Sequence, residues 1–214
     1  MTPLEIITAA RQFHNAVGDS FWSDAELYNH LYFAASRLAT EAECIDNRYT
    51  TSSVASQQEY SRPTRAYKIK RVEYANQKLD VIDFRGLDSV YLNSTTTVTG
   101  TPQYYYEFDN VIGLYPIPDT ASDTIKIYTY DYPSFPSATS TLEIPVHYHP
   151  ALVIGVRAFM APKELGHPNT KFYNDKWEQA VVDVRRQERR RRRGDKFRRV
   201  LREEDLPNTQ LGYL

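Results

Sequence analysis

The stretch Tyr67-Lys-Ile-Lys-Arg-Val-Glu-Tyr74 decides the fold class, because it reads as a β-strand between two chain segments that have helical periodicity. Four further stretches have the same character: Lys78–Ile82, Gln103–Phe108, Val111–Tyr115 and Thr124–Tyr130. Asn76-Gln77 and Asp109-Asn110 are placed as hairpin turns between them. We expect Asp83–Val90 to form a short helical turn and Leu92–Thr101 a polar loop. The middle of the chain is therefore predicted to be β-rich.

Two helices are predicted before this region. The first covers residues 3–17, since Pro3 suits a first helical turn and Gly18 ends the apolar pattern. The second covers residues 23–48 and begins with the capping-box pattern Ser23-Asp-Ala-Glu26. Its apolar positions recur at helical spacing: Leu27, Leu31, Ala35, Leu38, Ala42 and Ile45. Its other face is polar, so we expect it to pack on one side.

Two more helices are predicted after the β region. One follows Ile144-Pro145, is apolar on most faces and ends before Pro162, which predicts a buried helix. The last begins near Pro168-Asn169, and its apolar stripe ends at Val184. That stripe consists of Phe172, Tyr173, Trp177, Ala180, Val181 and Val184. Each helix would bury its apolar side against a neighbour.

The order of elements predicts an α+β fold, a helical bundle with a β-rich insertion and an extended C-terminal tail. Two helices precede the insertion and two follow it. We assign residues 1–50 and 145–202 to the helical body, residues 51–144 to the β-rich insertion, and residues 203–214 to the tail. The outer helices must then meet across the insertion.

Composition is that of an ordinary globular protein, with 214 residues of which 41% are hydrophobic and 25% charged. No apolar run approaches the roughly 18 residues of a membrane span, and the N-terminus lacks the features of a secretory signal. Cys44 is the single cysteine, which excludes an internal disulfide and a zinc site built on several thiolates. We therefore expect a soluble protein that is made in the cytoplasm.

Charge is distributed very unevenly. The segment from Arg185 to Arg202, called the basic segment below, has eleven basic and two acidic residues and a net charge of +9. The whole chain has a net charge of −1, so the rest of it carries −10. The sequence describes an acidic body with one strongly basic element.

Five consecutive arginines, Arg189–Arg193, advance about 100° each around a helix and so surround it. The pattern predicts that no face of this run enters a core. Three explanations are open: a solvated helix, contact with nucleic-acid phosphates, or ion pairs with carboxylates of other protein chains. We favour protein contact, because the acidic body offers a counter-surface on neighbouring copies.

Apolar residues resume at Phe197, Val200 and Leu201, beyond easy reach of the chain's own bundle. The tail that follows contains Pro207 and Gly212, which disfavour a helix. It also contains isolated apolar residues of the kind that an extended peptide places in the grooves of a partner protein. The alternative to such a partner-binding peptide is a frayed terminus. The predicted partner-binding residues are Arg189, Arg190, Arg191, Arg192, Arg193, Phe197, Arg198, Arg199, Val200, Leu201, Leu206, Leu211, Tyr213 and Leu214.

No catalytic signature is present in the sequence, and we expect no enzyme activity and no cofactor. The pair His147 and His149 has no further ligand at a recognisable spacing, so a structural role is favoured over a metal. The seventeen tyrosines concentrate in the β region, as at Tyr104-Tyr105-Tyr106. We assign them to core and interface rather than to ligands, and a sugar-binding or hydrolytic β insertion remains a lesser alternative.

Three parts of the sequence resemble a known family, and the first is Trp22-Ser-Asp-Ala-Glu-Leu27. The second is Asn110-Val-Ile-Gly-Leu-Tyr-Pro-Ile-Pro118, which is followed by the strand Ile127-Tyr-Thr-Tyr130. The third is Leu142-Glu-Ile-Pro-Val-His-Tyr-His-Pro150, which leads into Tyr173-Asn-Asp-Lys-Trp177. In these and in overall layout the chain resembles the head-to-tail adaptor, or connector, proteins of tailed bacteriophages. The resemblance covers nearly the whole chain.

The resemblance implies a structural virion protein of the neck, assembled in the host cytoplasm. It implies a ring, commonly of twelve copies, that joins the portal protein to a tail or nozzle protein and lines part of the DNA exit channel. Family members typically attach through the C-terminal helix and tail, and contact with packaged DNA is a further expectation. The alternative function is a nucleic-acid-binding accessory protein that uses the basic segment.

Overall fold

The computed structural model describes residues 1–15, 18, 21–83, 98–135, 137–163 and 169–196, with side chains as far as residue 192. The fold is α+β. The described helices are α1 (Pro3–Phe13), α2 (Asp24–Ala42), α3 (His149–Met160) and α4 (Thr170–Lys196). The predicted order of two helices, a β-rich middle and two helices is confirmed.

Both N-terminal helices begin with a side-chain cap, which is a full capping box at α1 and only the Ser23 half of the predicted box at α2. Thr2 and Glu5 form a reciprocal capping box at α1, and the Ser23 side chain accepts a hydrogen bond from the backbone N–H of Glu26 at α2. The predicted C-terminal ends are wrong. In α1 the helix ends at Phe13, and Asn15 has a left-handed φ of 57°.

The end of α2 is displaced by a strand. Glu43 adopts a left-handed conformation with φ 54°, and β1 (Asp46–Ser52) begins three residues later, so the helix predicted to reach residue 48 ends at Ala42. The sequence after Ile45 turns polar and β-branched, as in Tyr49-Thr50-Thr51, which favours an extended chain.

Two four-stranded sheets form the middle of the molecule. The first has the order β1-β10-β3-β4, where β3 is Ala66–Tyr74, β4 is Gln77–Lys78 and β10 is Thr124–Asp131. All its pairs are antiparallel. The second has the order β2-β8-β7-β5 and consists of β2 (Glu59–Ser61), β5 (Asp80–Val81), β7 (Tyr104–Phe108) and β8 (Val111–Tyr115).

The strand predicted over Lys78–Ile82 is divided between the sheets. Lys78 pairs with Glu73 of β3, whereas Asp80 pairs with Tyr104 of β7. Leu79, only 1% exposed, lies at the crossover and anchors it in the core between the sheets. The hairpin turn before it is Ala75-Asn76, one residue earlier than predicted, and both residues have positive φ angles of 47° and 66° as a type I′ turn requires.

The polar loop predicted to end at Thr101 is wrong in its last part, because β6 (Thr99–Gly100) pairs in parallel with β9 (Ile117–Pro118). Residues 84–97 lie outside the described residues, so the helical turn predicted at Asp83–Val90 and the rest of that loop stay predictions. The predicted turn at Asp109-Asn110 is confirmed, with φ 46° at Asp109.

Two hydrophobic clusters hold the described residues together. The larger cluster joins the four helices, and α3 lies at its centre with buried residues on most of its surface, as predicted. Gly155 of α3 permits a close helix crossing, since a Cβ there would lie 2.8 Å from the Cβ of Ala34. The smaller cluster lies between the two sheets. The proposed division at residues 50/51 and 144/145 remains a prediction, and β1 begins slightly before the first boundary.

Candidate partner-binding surface on the last helix

Helix α4 carries the first part of the basic segment. Its buried side chains include Trp177, Val181, Val184 and Glu188, which recur every three or four residues and therefore share one helix face. Phe172, assigned to this stripe in the sequence, is 54% exposed instead. The buried face extends one turn beyond Val184, where the apolar pattern ends. A carboxylate occupies that last buried position.

Glu188 is 1% exposed and is paired on both oxygens. The Tyr148 hydroxyl donates to Oε1 at 2.9 Å, and Arg191 Nε donates to Oε2 at 2.9 Å. Burial and then the interaction with Glu188 raise the pKa of Tyr148, so the hydroxyl keeps its proton and remains a donor. An unpaired buried carboxylate would cost several kcal/mol, on the order of the penalty for a broken buried ion pair. The two donors therefore explain why the chain can bury this charge.

Arg192 attaches α4 to the C-terminal end of α2. Its guanidinium donates to the Glu43 carboxylate, to the Glu43 carbonyl at 2.5 Å and to the Ala42 carbonyl at 3.2 Å. These carbonyls belong to the end of a helix, where cations are favoured. Burial favours a higher pKa for Glu43, but hydrogen bonds from Lys68 and Arg192 outweigh it and lower the pKa. Arg192 therefore satisfies acceptors that the left-handed turn at Glu43 leaves open.

The prediction that no face of the arginine run enters a core is not contradicted by the described side chains, Arg189–Arg192, none of which is buried, but two of them contact the chain's own body. Arg191 pairs with Glu188 and lies 3.5 Å from the Asp46 carboxylate, and Arg192 is bound at the α2 end. The long guanidinium side chain lets a residue beside a helix's buried stripe reach acceptors on another element. These two arginines hold α4 against its own chain.

The face of α4 opposite its buried residues is exposed and positively charged. Arg185, Arg186, Arg189 and Arg190 are exposed and fall within an arc of about 140° at 100° per residue. Arg186 lies 3.6 Å from the Asp183 carboxylate of the same helix. Within the described part of the chain, the other three form no ion pair. We call these four residues the exposed arginine face.

The predicted partner-binding residues thus differ in where the structure places them. Arg189 and Arg190 lie on the exposed arginine face, whereas Arg191 and Arg192 contact the chain's own body. The backbone of Arg193 belongs to α4, but its side chain is not described. The remaining residues lie outside the described residues and stay predictions: Phe197, Arg198, Arg199, Val200, Leu201, Leu206, Leu211, Tyr213 and Leu214.

Aromatic residues on α2 form a surface that the sequence analysis missed. Tyr32 and Phe33 are 44% and 56% exposed on the helix face that was interpreted as polar. The Tyr32 ring lies 6.1 Å from that of Phe135, and the Phe33 ring lies 6.4 Å from that of Phe159. Two adjacent large aromatic residues outside the apolar stripe were the available signal. Exposed aromatic clusters of this kind are typical of protein contact surfaces.

Of the predicted pair His147 and His149, the second has a structural role, whereas His147 is exposed. His149 is buried, its Nε2 lies 2.9 Å from the Ile144 carbonyl, and its Nδ1 lies 3.0 Å from the Met1 amine. Burial lowers the pKa of His149. Among the described residues, no three His, Cys, Asp or Glu side chains are grouped to hold a metal. Among the β-region tyrosines, Tyr105 and Tyr106 are buried, whereas Tyr132 is 42% exposed.

No helix in the described ranges is both long and apolar enough to cross a membrane. A family model described as SU10 adaptor protein matches residues 1–200. The match covers most of the sequence, so the chain belongs to the SU10 adaptor protein family and is a phage adaptor, a structural protein. No curated protein sequence matches the chain. The resemblance to phage head-to-tail adaptors found in the sequence is thereby confirmed.

Proposed function

We propose that the protein forms a ring in the virion neck, joins the portal to the next tail component, and performs no covalent chemistry. The exposed arginine face and the C-terminal residues contact other protein chains in this assembly. Copy number follows the family resemblance, which implies twelve subunits. Part of the ring lines the DNA exit channel.

The exposed arginine face is the observation that carries the proposal. Three cations, Arg185, Arg189 and Arg190, have no ion-pair partner within the described residues, although the same helix uses Arg191 and Arg192 to attach itself to the body. Like charges that stay close together cost free energy unless counter-charges neutralise them. Carboxylates of a second protein chain would supply those counter-charges through bidentate pairs.

Binding to the purified portal protein tests this assignment. A variant with Arg185, Arg189 and Arg190 all changed to Glu should lose co-migration with the portal in size-exclusion chromatography, or lose its own ring, while it remains folded. A matched control is Lys171→Glu, which reverses an exposed cation near the other end of α4. Unchanged assembly of the triple variant would contradict the role of this face.

The C-terminal residues require a separate experiment. Removal of residues 197–214 should leave a folded chain that no longer joins the portal, because the deleted segment follows α4 and holds the second group of apolar residues. If the shortened chain unfolded, as measured by circular dichroism, the segment would belong to its own core and the proposal for it would be wrong.

Nucleic-acid binding is the second candidate function, and the unpaired arginines favour it as well. Phosphate contacts make the logarithm of the affinity fall linearly with the logarithm of the salt concentration. Binding of random-sequence DNA that depends on Arg185 and Arg189 would support this alternative. Absence of binding at about physiological salt would exclude it.

A further inference from the structure

The outer face of the first sheet is the side opposite the hydrophobic cluster between the sheets. On β10, Ile125 and Ile127 point into that cluster, so Lys126, Tyr128 and Tyr130 lie on the outer face. The register extends this face across the sheet. Lys126 is level with Thr50 on β1 and Glu73 on β3, and the other outer positions of β1 follow by alternation. On β3 the register shifts at Lys70, so that Lys68 is level with Tyr130 on the same face.

Charge on the outer face is predominantly positive. Six cationic side chains belong to it: Arg48, Lys68, Lys70, Arg71, Lys78 and Lys126. Two carboxylates, Asp46 and Glu73, also belong to it, and Lys78 pairs with Asp80 at 3.8 Å, which leaves a net charge of +3. Arg48 is exposed and makes no ion pair with any residue that the structure describes. This positive charge contrasts with the chain outside the basic segment as a whole, which has a net charge of −10.

Tyrosine rings lie beneath several of these cations. Lys70 Nζ is 4.8 Å from the ring centre of Tyr130, and the Arg71 guanidinium is 4.7 Å from that of Tyr128. Cations over aromatic faces are attracted by the ring. The rings therefore hold the cationic groups along the sheet surface, so that they form an ordered array.

Helix α4 adds two arginines at the edge of this array. The Arg192 guanidinium lies 4.8 Å from the Tyr130 ring centre, and Arg191 lies 3.5 Å from the Asp46 carboxylate. That carboxylate is shared, because Lys70 also pairs with it at 2.9 Å. Glu43 is likewise shared between Lys68 and Arg192. Arg191 is also paired with Glu188, so these four cations face three carboxylates and one positive charge remains in excess.

We propose that the outer face of the first sheet binds the phosphate backbone of duplex DNA. A broad array of fixed cations complements a continuous line of phosphates, and such contacts carry no base sequence information. This site differs from the exposed arginine face, which lies on the side of α4 away from the body. It rests on the proposed role of lining the DNA exit channel, for which it names a surface, and it can be measured on the unassembled chain.

Fluorescence anisotropy with a labelled random-sequence duplex, repeated at several salt concentrations, tests the proposal. The wild-type chain should bind with a steep salt dependence. The double variant Arg48→Ala, Lys126→Ala removes two phosphate contacts, so the slope of log affinity against log salt should become shallower by about 1.8, at about 0.9 per contact. The charge-preserving variant Arg48→Lys, Lys126→Arg should keep the wild-type slope.

Two control measurements make the assignment specific. The variant Arg185→Ala, Arg189→Ala should leave the slope unchanged, since those residues lie outside the site. A polyglutamate competitor of equal charge should displace the duplex poorly. The proposal is overturned if the sheet variant keeps the wild-type slope, if only the α4 variant changes it, or if polyglutamate competes as well as DNA, which would indicate an acidic protein partner. Unchanged thermal midpoints would show that the variants are folded.

Discussion

The hydrogen bond between Tyr148 and Glu188 attaches α4 to the rest of the fold, and its contribution to the free energy of unfolding can be measured by substitution. Tyr148→Phe removes one hydroxyl and leaves Glu188, which is 1% exposed, with Arg191 as its remaining side-chain donor. Hydrogen bonds to charged groups contribute about 1.5–3 kcal/mol, and water cannot replace this donor at a buried position. We expect the variant to lose about 2 kcal/mol of unfolding free energy.

Thermal and urea unfolding would measure this loss. For a domain of roughly 150–250 residues, each kcal/mol changes the melting temperature by about 2–4 °C, so a decrease of about 4–8 °C is expected. Tyr32→Phe is the matched control, because it removes the same hydroxyl from a 44% exposed ring on α2. Its effect should stay within about 0.5 kcal/mol.

A double-mutant cycle with Glu188→Gln measures the interaction energy between Tyr148 and Glu188 separately from the effect of each substitution on other contacts. If Tyr148 stabilises the fold through this carboxylate, the two changes together should cost less than the sum of the single changes. The stabilising role of this hydrogen bond would be disproved if the Tyr148→Phe protein were as stable as the wild type, or if the effects of the two substitutions were strictly additive. Helix α4 would then be held by its apolar contacts and the arginines alone.

Three further outcomes follow from the packing and the charges. Gly155→Ala should cost about 1–3 kcal/mol in urea unfolding, since its Cβ would lie 2.8 Å from that of Ala34, and adding Ala34→Gly should recover part of the loss. Gly113→Ala should destabilise the second sheet, because its Cβ would lie 1.9 Å from the Tyr106 ring; an unchanged near-ultraviolet spectrum and melting temperature would contradict this. The pKa of Glu43 is lowered in the folded chain, so its contribution is complete above the ordinary value of 4.5 and is lost as pH falls below it. Glu43→Gln should therefore flatten the loss of stability on acidification, and identical pH profiles for variant and wild type would disprove the assignment.

Periodicity and capping patterns predicted the framework well. The Ser23 cap and the apolar spacing located α2, and the alternation in Tyr67–Tyr74 located β3. Local patterns were less informative where tertiary contacts decide the outcome. The left-handed turn at Glu43 is stabilised by Arg192, which is distant in sequence, so the spacing of the apolar stripe could not indicate the end of α2, and only the β-branched residues after Ile45 were a local signal.

The candidate site was only partly accessible to sequence reasoning. A run of identical arginines does not indicate which of its members face the body. Arg191 and Arg192 contact the body, and Arg189 and Arg190 do not, because the acceptors lie in β1 and at the end of α2. The outer face of the first sheet was missed for a similar reason. Arg48 and Lys126 are far apart in the sequence, and strand register brings them to one surface.

Cryo-electron microscopy of the protein assembled with its portal tests the central claim most directly. We expect a ring in which Arg185, Arg189 and Arg190 lie within about 4 Å of carboxylates of another protein chain, the distance of an ion pair. A ring in which these three side chains face solvent, with the contacts between chains made elsewhere, would contradict it.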